Sequence, residues 1–207
     1  MARQPVAGAV KTRLGREIGT VAATWFYRHA ARAVMLRLGF DRRWRTVLAI
    51  APLSGAAARV WPPGIQRERQ PGGDLGARMQ SIMERARPGP VIIIGTDIPA
   101  IRPLQIAQAF GLLGGHDAVF GPAGDGGYWL AGLRRCPRVP RPFGTVTSRD
   151  GASVRWSTPH ALADTVANLT GRRVALACPL DDVDNAHDFG RARAHYGRLV
   201  LPAHTNR

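Results

Sequence analysis

The sequence predicts an α/β fold, a three-layer α/β/α arrangement in which helices cover both faces of a mostly parallel sheet. Stretches of strand length alternate along the chain with stretches whose apolar residues recur at helical spacing. The most apolar stretch, Val91 to Ile94, is continuous, as is typical of a parallel strand buried on both faces. The chain has 207 residues, of which 45% are hydrophobic, so a single domain spanning residues 1–207 can bury its own core.

The first half of the chain begins with a predicted helix from Glu17 to Leu38, whose apolar residues share one face and which Gly39 ends. A short apolar strand follows from Val47 to Ala51. The stretch from Pro52 to Gly73 contains several prolines and is predicted to be rich in loop. Asp74 can cap a second helix that runs to about Arg87.

The second half continues the alternation of strands and helices. The further predicted strands are Val91–Ile94, Ala118–Phe120, Gly127–Leu133 and Val174–Cys178. The further predicted helices are Pro103–Leu113, Thr158–Leu169 and Ala186–Tyr196, and the Pro-, Gly- and Arg-rich stretch Cys136–Val154 is predicted to be an exposed loop. Because ligands of such sheets bind beyond the carboxyl ends of the strands, the residues that follow strands are the candidates for function.

The formal net charge is +15, which by itself favours a polyanionic partner. Lysine and arginine together number 29, yet Lys11 is the only lysine. Arginine, like the abundant glycine and proline, has GC-rich codons, and the arginines are dispersed rather than grouped in a long basic block. We therefore do not expect a nucleic-acid partner, although a basic nucleic-acid-binding protein is kept as an alternative.

The sequence also predicts a cytoplasmic protein without a membrane span. The longest aliphatic stretch, Val91 to Ile94, is far too short to cross a bilayer. The N-terminus lacks the apolar core of a secretory signal. The two cysteines, Cys136 and Cys178, show no metal-type spacing and indicate a reducing compartment.

The first candidate site is the segment Gly8-Ala9-Val10-Lys11-Thr12-Arg13, which precedes the first predicted helix. Gly8 allows a close approach of the backbone, and Lys11 and Arg13 can neutralise phosphate oxygens. The segment is not a Walker A loop, because no glycine directly precedes Lys11. The alternative interpretation is a solvated basic turn.

Carboxylates that follow strands form the second candidate site. Asp97 follows the apolar strand Val91 to Ile94, a place where a carboxylate can hold Mg²⁺ or Mn²⁺ together with phosphates. Asp182 and Asp184 follow the last predicted strand and could complete a metal site with Asp97. The alternative is that these carboxylates fix turns or cap the helices that come after them.

Two glycine-rich segments are candidates for contacts with a base or a sugar. In Gly124 to Trp129, two glycines follow Asp125 and let the backbone approach a ligand, but Asp-Gly is also a strong hairpin signal. In Gln70 to Arg78, Gly73 and its neighbours could let backbone groups contact a base, whereas capping of the following helix explains Asp74 equally well.

Six segments taken together resemble a known bacterial family. In chain order they are PVAGAVKTRLG, GGDLGARM, IIIGTDIP, DAVFGPAGDGGYWLAGL, WSTPHALADT and LDDVDN. They resemble glycosyltransferase-A-like proteins labelled radical-SAM/selenodomain-associated transferases or arsenosugar-biosynthesis glycosyltransferases. More distantly, they are similar to the guanylyltransferases that act on phospholactate and on the molybdenum cofactor. The resemblance runs from about Pro5 to Phe189.

The resemblance implies a nucleotide-diphospho-sugar transferase fold and a role for each segment. The residues that it implies are Gly8, Lys11, Arg13, Gly73 and Asp74 for the nucleotide, Asp97, Asp182 and Asp184 for Mg²⁺ or Mn²⁺, and Asp125, Gly126, Gly127 and Trp156 for the sugar or acceptor. Asp97, Lys11 and Arg13 would be the catalytic residues among them. Proteins of this family open with an apolar strand, whereas only four residues precede Pro5 here, so the first strand is expected to be truncated.

The residues and the resemblance lead to one main hypothesis. The chain is expected to be a metal-dependent glycosyltransferase or nucleotidyltransferase that uses a nucleotide-sugar or an NTP as donor and a small molecule as acceptor. The alternatives are a catalytically inactive relative with the same fold and a basic nucleic-acid-binding protein.

Overall fold

The computed structural model describes residues 1–52, 54–55, 59–144 and 153–196. The strands in these ranges are β1 (Ala2–Arg3), β2 (Val47–Ala51), β3 (Gln66–Arg69), β4 (Val91–Ile94), β5 (Ala118–Pro122), β6 (Tyr128–Leu133) and β7 (Val174–Leu176). The helices are α1 (Thr12–Ile18), α2 (Thr20–Leu38), α3 (Leu75–Arg85), α4 (Pro103–Gly115), α5 (Ala161–Ala167) and α6 (Ala186–Tyr196). Three of the five strand pairings among the described residues are parallel, which confirms the mixed, mostly parallel α/β class.

The chain divides into two compact units. The first unit contains Met1–Arg69, Thr96–Arg102 and the segment from Asp182 onward, and the second contains Gln70–Gly95 and Pro103–Asp181. The expectation of a single domain over residues 1–207 stays a prediction.

The first unit has a three-stranded parallel sheet in the order β1-β2-β3. In this sheet β1 has two residues, and Ala2 lies opposite Ile50 and Arg3 opposite Ala51. One apolar cluster of this unit, formed with the sheet, includes Leu48, Ile50, Trp61 and Met35. A second cluster lies against α1 and α6 and contains Leu14, Ala23, Phe26, Ala30, Val183 and Ala192.

The strand β3 lies within the stretch from Pro52 to Gly73, which was predicted to be rich in loop, and the sequence did not predict this strand. Its sequence is Gln-Arg-Glu-Arg, without an apolar residue, and its side chains are mostly exposed. The strand is held through backbone pairing with β2 at one edge of the sheet, in the register Val47 opposite Gln66. A strand that buries no side chain leaves no apolar pattern in the sequence, so periodicity could not reveal it.

The helix predicted from Glu17 to Leu38 begins earlier and is interrupted. It is two helices, because Gly19 has φ 88°, a backbone conformation that favours glycine and ends α1 before α2 begins. The prediction missed the first of the two. Lys11 therefore directly precedes a helix, and Leu14 anchors that helix in the apolar cluster.

The second unit has a four-stranded sheet in the order β4-β6-β5-β7. β5 pairs in parallel with β7, while β6 runs antiparallel to both β4 and β5. Its largest fully buried side chains include Phe120, Leu130 and Leu133. Residues 145–152 of the predicted loop Cys136–Val154 lie outside the described residues. No helix in the described part of the chain is long and apolar enough to cross a membrane.

Candidate functional site

Lys11 lies at the centre of a group of three carboxylates in the first unit. Its Nζ is 2.8 Å from Asp97 Oδ2, 3.2 Å from Asp182 Oδ2 and 2.7 Å from Asp184 Oδ1. Only 6% of the lysine side chain is exposed to solvent. We refer to these four residues as the Lys11 cluster. The structure thus brings together three segments of the sequence that were each predicted to belong to the site.

The backbone of Lys11 helps to place its side chain in the cluster. Lys11 has φ 45° and ψ 47°, the left-handed conformation, which is uncommon for a residue with a Cβ. Such a conformation costs on the order of 1–3 kcal/mol and persists where the surrounding structure holds it. Here α1 follows immediately, and Leu14 one turn later is completely buried. The fixed helix and the three ion pairs together hold the strained lysine.

Asp182 and Asp184 reach Lys11 from either side of a buried valine. Val183 is packed in the apolar cluster with Leu14 and Phe26, while the flanking carboxylates both contact the lysine ammonium. Because the residues alternate in polarity, Val183 packs in the core while Asp182 and Asp184 on either side of it face Lys11.

The caps that the structure shows for α6 come from two other side chains. Asn185 Oδ1 accepts from Asp188 N at 2.9 Å, and Glu17 Oε2 accepts from Ala186 N at 2.7 Å. Asp182 and Asp184 are instead hydrogen-bonded to Lys11. The alternative interpretation of these two aspartates as caps of this helix is therefore not what the structure shows.

Tyr27 forms hydrogen bonds next to the segment that carries Asp97. The sequence did not predict this role of Tyr27. The buried Tyr27 hydroxyl accepts from Arg3 N at 2.8 Å, donates to Arg3 O at 3.1 Å and lies 3.4 Å from the hydroxyl of Thr96. Burial raises the pKa of Tyr27, so the hydroxyl keeps its proton and can donate. A tyrosine on the buried face of α2 and a threonine directly before Asp97 were the only signals in the sequence.

Burial and neighbouring charges together shift the pKa values of Lys11, Asp182 and Asp184. Burial alone would lower the pKa of Lys11, but the charges of the three aspartates and a hydrogen bond to Asp184 outweigh it and raise the pKa. Burial raises the pKa of Asp182, and the charges of Asp184 and Asp97 add to this effect while Lys11 opposes it. Burial would also raise the pKa of Asp184, but the charge and hydrogen bond of Lys11 lower it overall.

Arg13 and Gly8 lie beside this cluster on the same segment of the chain. Arg13 Nη1 is 3.7 Å from Asp184 Oδ2, and 66% of the arginine side chain is exposed. Gly8 has φ 77°, and a Cβ at this position would meet no atom within 4 Å. Both residues therefore remain accessible to a ligand, and their phosphate-binding role stays a prediction.

The donor atoms of the Lys11 cluster fit Mg²⁺ or Mn²⁺ in their chemistry. Both ions prefer carboxylate oxygens, and three such oxygens, from Asp97, Asp182 and Asp184, already converge on a cation. That cation is the ammonium of Lys11. As the side chains stand, no group of three or more His, Cys, Asp or Glu residues in the described ranges is arranged to hold a metal ion. Metal binding therefore stays a prediction.

In the second unit, Asp125, Gly126 and Gly127 form the turn between β5 and β6. Asp125 Oδ1 accepts from Gly127 N at 2.9 Å, and Gly126 has φ 79°. A Cβ on Gly126 would overlap the carbonyl oxygen of Pro159. The hairpin interpretation is confirmed by the antiparallel pairing of β5 with β6, and contact of these residues with a substrate stays a prediction.

Gly73 and Asp74 form the start of α3. Asp74 Oδ1 accepts from Ala77 N at 2.7 Å, which confirms the predicted cap. Gly73 has φ 94°, and its carbonyl accepts from Arg78 Nε at 2.7 Å. These local contacts account for both residues, so their predicted contact with a nucleotide is left without a structural observation.

Trp156 is the predicted substrate residue with an unused polar group. Its ring meets that of Tyr128 in a T-shaped contact, with centroids 6.4 Å apart. It also lies against Gly76, where a Cβ would come within 2.8 Å of the indole. The buried Trp156 Nε1 has no hydrogen-bond partner among the described residues. An indole N–H usually finds an acceptor when it is buried, and the described residues supply none for this one.

A comparison with solved structures tests the fold that the sequence predicts. A crystal structure of a "putative nucleotide-diphospho-sugar transferase" from Desulfovibrio desulfuricans G20 superposes with a TM-score of 0.80. The identity is 28%, and the match covers 95% of this chain and 85% of that one. This match confirms the fold expected from the resemblance.

The sequence profile of one protein family also matches the chain. No curated protein matches. The family is described as "Uncharacterized protein conserved in bacteria (DUF2064)", and the match covers residues 35–149, more than half of the 207. The chain belongs to this bacterial family, DUF2064.

Proposed function

We propose that this protein is a transferase that takes a group from a nucleotide-diphosphate donor and binds the donor phosphates at the Lys11 cluster. The observation that carries the proposal is the convergence of Lys11, Asp97, Asp182 and Asp184 within hydrogen-bond distance. The structural similarity to a protein described as a nucleotide-diphospho-sugar transferase supports it. The cluster places the only lysine of the chain beside the carboxylates predicted to follow strands.

The chemistry follows from the charge that develops on phosphate oxygens during such a transfer. Lys11 and Arg13 supply two positive groups from one segment, and Arg13 is exposed enough to meet a ligand. Cations that contact the leaving phosphate stabilise the charge that develops on it. A divalent cation held by Asp97, Asp182 and Asp184 would supply further Lewis-acid stabilisation of the same oxygens. Tyr27 positions Asp97 through its contacts with Arg3 and Thr96.

The resemblance also implies residues for the sugar, the acceptor and the nucleotide, and these are part of the proposal. The unpartnered indole N–H of Trp156 supports a polar contact with a sugar or acceptor. Asp125, Gly126 and Gly127 are proposed for the same substrate, and Gly73 and Asp74 for the nucleotide. Glycosyl transfer is favoured over nucleotidyl transfer by the description of the similar protein. The narrower resemblance to radical-SAM/selenodomain-associated and arsenosugar-biosynthesis transferases is part of the same proposal.

A thermal-shift screen tests this function and identifies the donor. The ligands are the UDP-, GDP-, ADP- and CDP-sugars and the four NTPs, each with and without Mn²⁺. A ligand at about a hundred times its Kd adds roughly 2.7 kcal/mol to the free energy of unfolding, which is a readable shift. We expect one donor class to stabilise the wild type, and Asp97→Asn to lose that shift. A well-folded wild type that responds to none of these ligands would indicate an inactive relative instead.

A further inference from the structure

We propose that Lys11 is an internal counter-ion that competes with the divalent cation for the same three carboxylates, so that Lys11 must leave them before the cation can bind. This inference rests on the metal-binding part of the proposed function and adds an order of events to it. The released ammonium is then available to the donor phosphates. In this order of events, Lys11 binds phosphate only after the divalent cation has bound to the carboxylates.

The geometry makes shared occupancy unfavourable. The oxygens that a cation would use, Asp97 Oδ2, Asp182 Oδ2 and Asp184 Oδ1, are the same atoms that contact Lys11 Nζ. Their distances to the nitrogen, 2.7–3.2 Å, are those of charge-assisted hydrogen bonds. Mg²⁺ requires oxygens at about 2.0–2.1 Å. An ion drawing these oxygens inward would therefore lie in contact with a buried ammonium of the same sign.

The net negative charge of the Lys11 cluster favours the binding of a further cation. Three carboxylates face one buried ammonium, and Arg13 approaches only Asp184, at 3.7 Å. The group therefore carries an excess of negative charge even when Arg13 is counted, which opposes the approach of a diphosphate. A divalent cation reverses the sign of the group. Lys11, once released on its flexible four-carbon stem, adds to the attraction of phosphates.

Direct Mn²⁺ titration of the protein alone tests the competition without measuring activity. Wild type, Lys11→Met and Asp97→Asn are compared by calorimetry, and Arg16→Met is the matched control. Arg16 is an exposed cation on α1, outside the Lys11 cluster, so its loss removes the same charge without opening the site. We expect Lys11→Met to bind Mn²⁺ at least about tenfold more tightly than the wild type does, because the repelling charge at contact distance is gone. Arg16→Met should bind as the wild type does.

The other results separate the inference from the function it rests on. Equal Mn²⁺ affinity in wild type and Lys11→Met overturns the competition and leaves the metal site in place. Weaker binding by Lys11→Met also overturns it, because the lysine would then be helping to arrange the carboxylates. No Mn²⁺ binding by any variant overturns both the competition and the metal-binding part of the proposed function, while donor binding without metal still tests the transferase itself.

The wild type offers a second test in case Lys11→Met does not fold. Because Lys11 is the only lysine, an amine-acylating reagent reports on one side chain, and peptide mass mapping separates it from the N-terminal amine. The buried, triply paired ammonium should react slowly in the metal-free protein. We expect saturating Mn²⁺ to raise the acylation rate of Lys11 by about tenfold or more. A rate that Mn²⁺ leaves unchanged or lowers overturns the proposal.

Discussion

At the scale of single residues, Lys11 shows how much of the site depends on long-range contacts. Its sequence neighbours indicate a basic loop, and by sequence alone a solvated turn was an equal alternative. The structure buries the lysine instead, with partners 86 to 173 positions away in the chain. The types of residue at the site could be predicted from the sequence, whereas their convergence on one ammonium could not, because spacing carries no information about contacts over such separations.

Gly126 gives a residue-scale prediction for the β5–β6 turn. Gly126→Ala should lower the free energy of unfolding by more than about 2 kcal/mol. The alanine would be strained by the left-handed backbone conformation, and its Cβ would also overlap the Pro159 carbonyl. Gly171→Ala is the control, since Gly171 has a similar φ of 75° but open space around it. The control should lose only the backbone cost of about 1–2 kcal/mol. Equal losses in urea denaturation would contradict the packing argument.

Asp164 gives a prediction for the dependence of stability on pH. Hydrogen bonds from Arg155 hold the pKa of Asp164 well below its usual value. The native state therefore releases this proton more readily than the unfolded chain does, and the ion pair stabilises the protein above the unfolded pKa of about 3.9. The stabilisation is lost as the pH falls through the lower native pKa.

Comparison of the wild type with Asp164→Asn isolates this contribution. The difference in Tm between the two proteins should be at its full value from about pH 5 upward and should shrink as the pH falls below about 4. Thermal unfolding at a series of pH values measures it. A difference that stays constant down to about pH 2 would show that the ion pair does not set the pKa of Asp164.

At the scale of elements, α3 allows the two interpretations of Asp74 to be separated. Asp74→Ala removes the oxygen that accepts from Ala77 N and should cost about 1 kcal/mol. Asp74→Ser keeps a capping oxygen without the charge and should retain most of the stability. Urea denaturation of the three proteins checks this order. If Asp74→Ser were as unstable as Asp74→Ala, the cap would not be the contribution of this residue.

The elements that the sequence predicts well are those whose ends are marked clearly in the sequence. β2 and β4 have the predicted bounds, because each is a short run of apolar residues between clear breaks, and α6 also has them. β3 could not be found, because its polar side chains are mostly exposed and only its backbone pairs with β2. The interruption at Gly19 was missed because a single glycine within a helical pattern does not by itself end a helix.

At the scale of the whole molecule, the net charge of +15 is a poor guide to function. In the described part of the first unit, the Lys11 cluster groups three acidic residues around one lysine. The fold could be predicted because six segments in order resemble a family, and the superposition with TM-score 0.80 confirms it. Donor and acceptor identity could not be predicted, since the segments that would read them are turns and caps with local structural roles of their own.

The central claim is that the Lys11 cluster supports group transfer from a nucleotide-diphosphate donor. The most direct test is the rate at which the donor found in the thermal-shift screen releases its nucleotide, in the presence of Mn²⁺. Asp97→Asn keeps the shape of the side chain but removes its charge, and Asp41→Asn is the control, since Asp41 pairs with Arg43 away from the cluster. We expect Asp41→Asn to match the wild type and Asp97→Asn to be slower by about a hundredfold or more. Turnover by Asp97→Asn at the wild-type rate would contradict the claim.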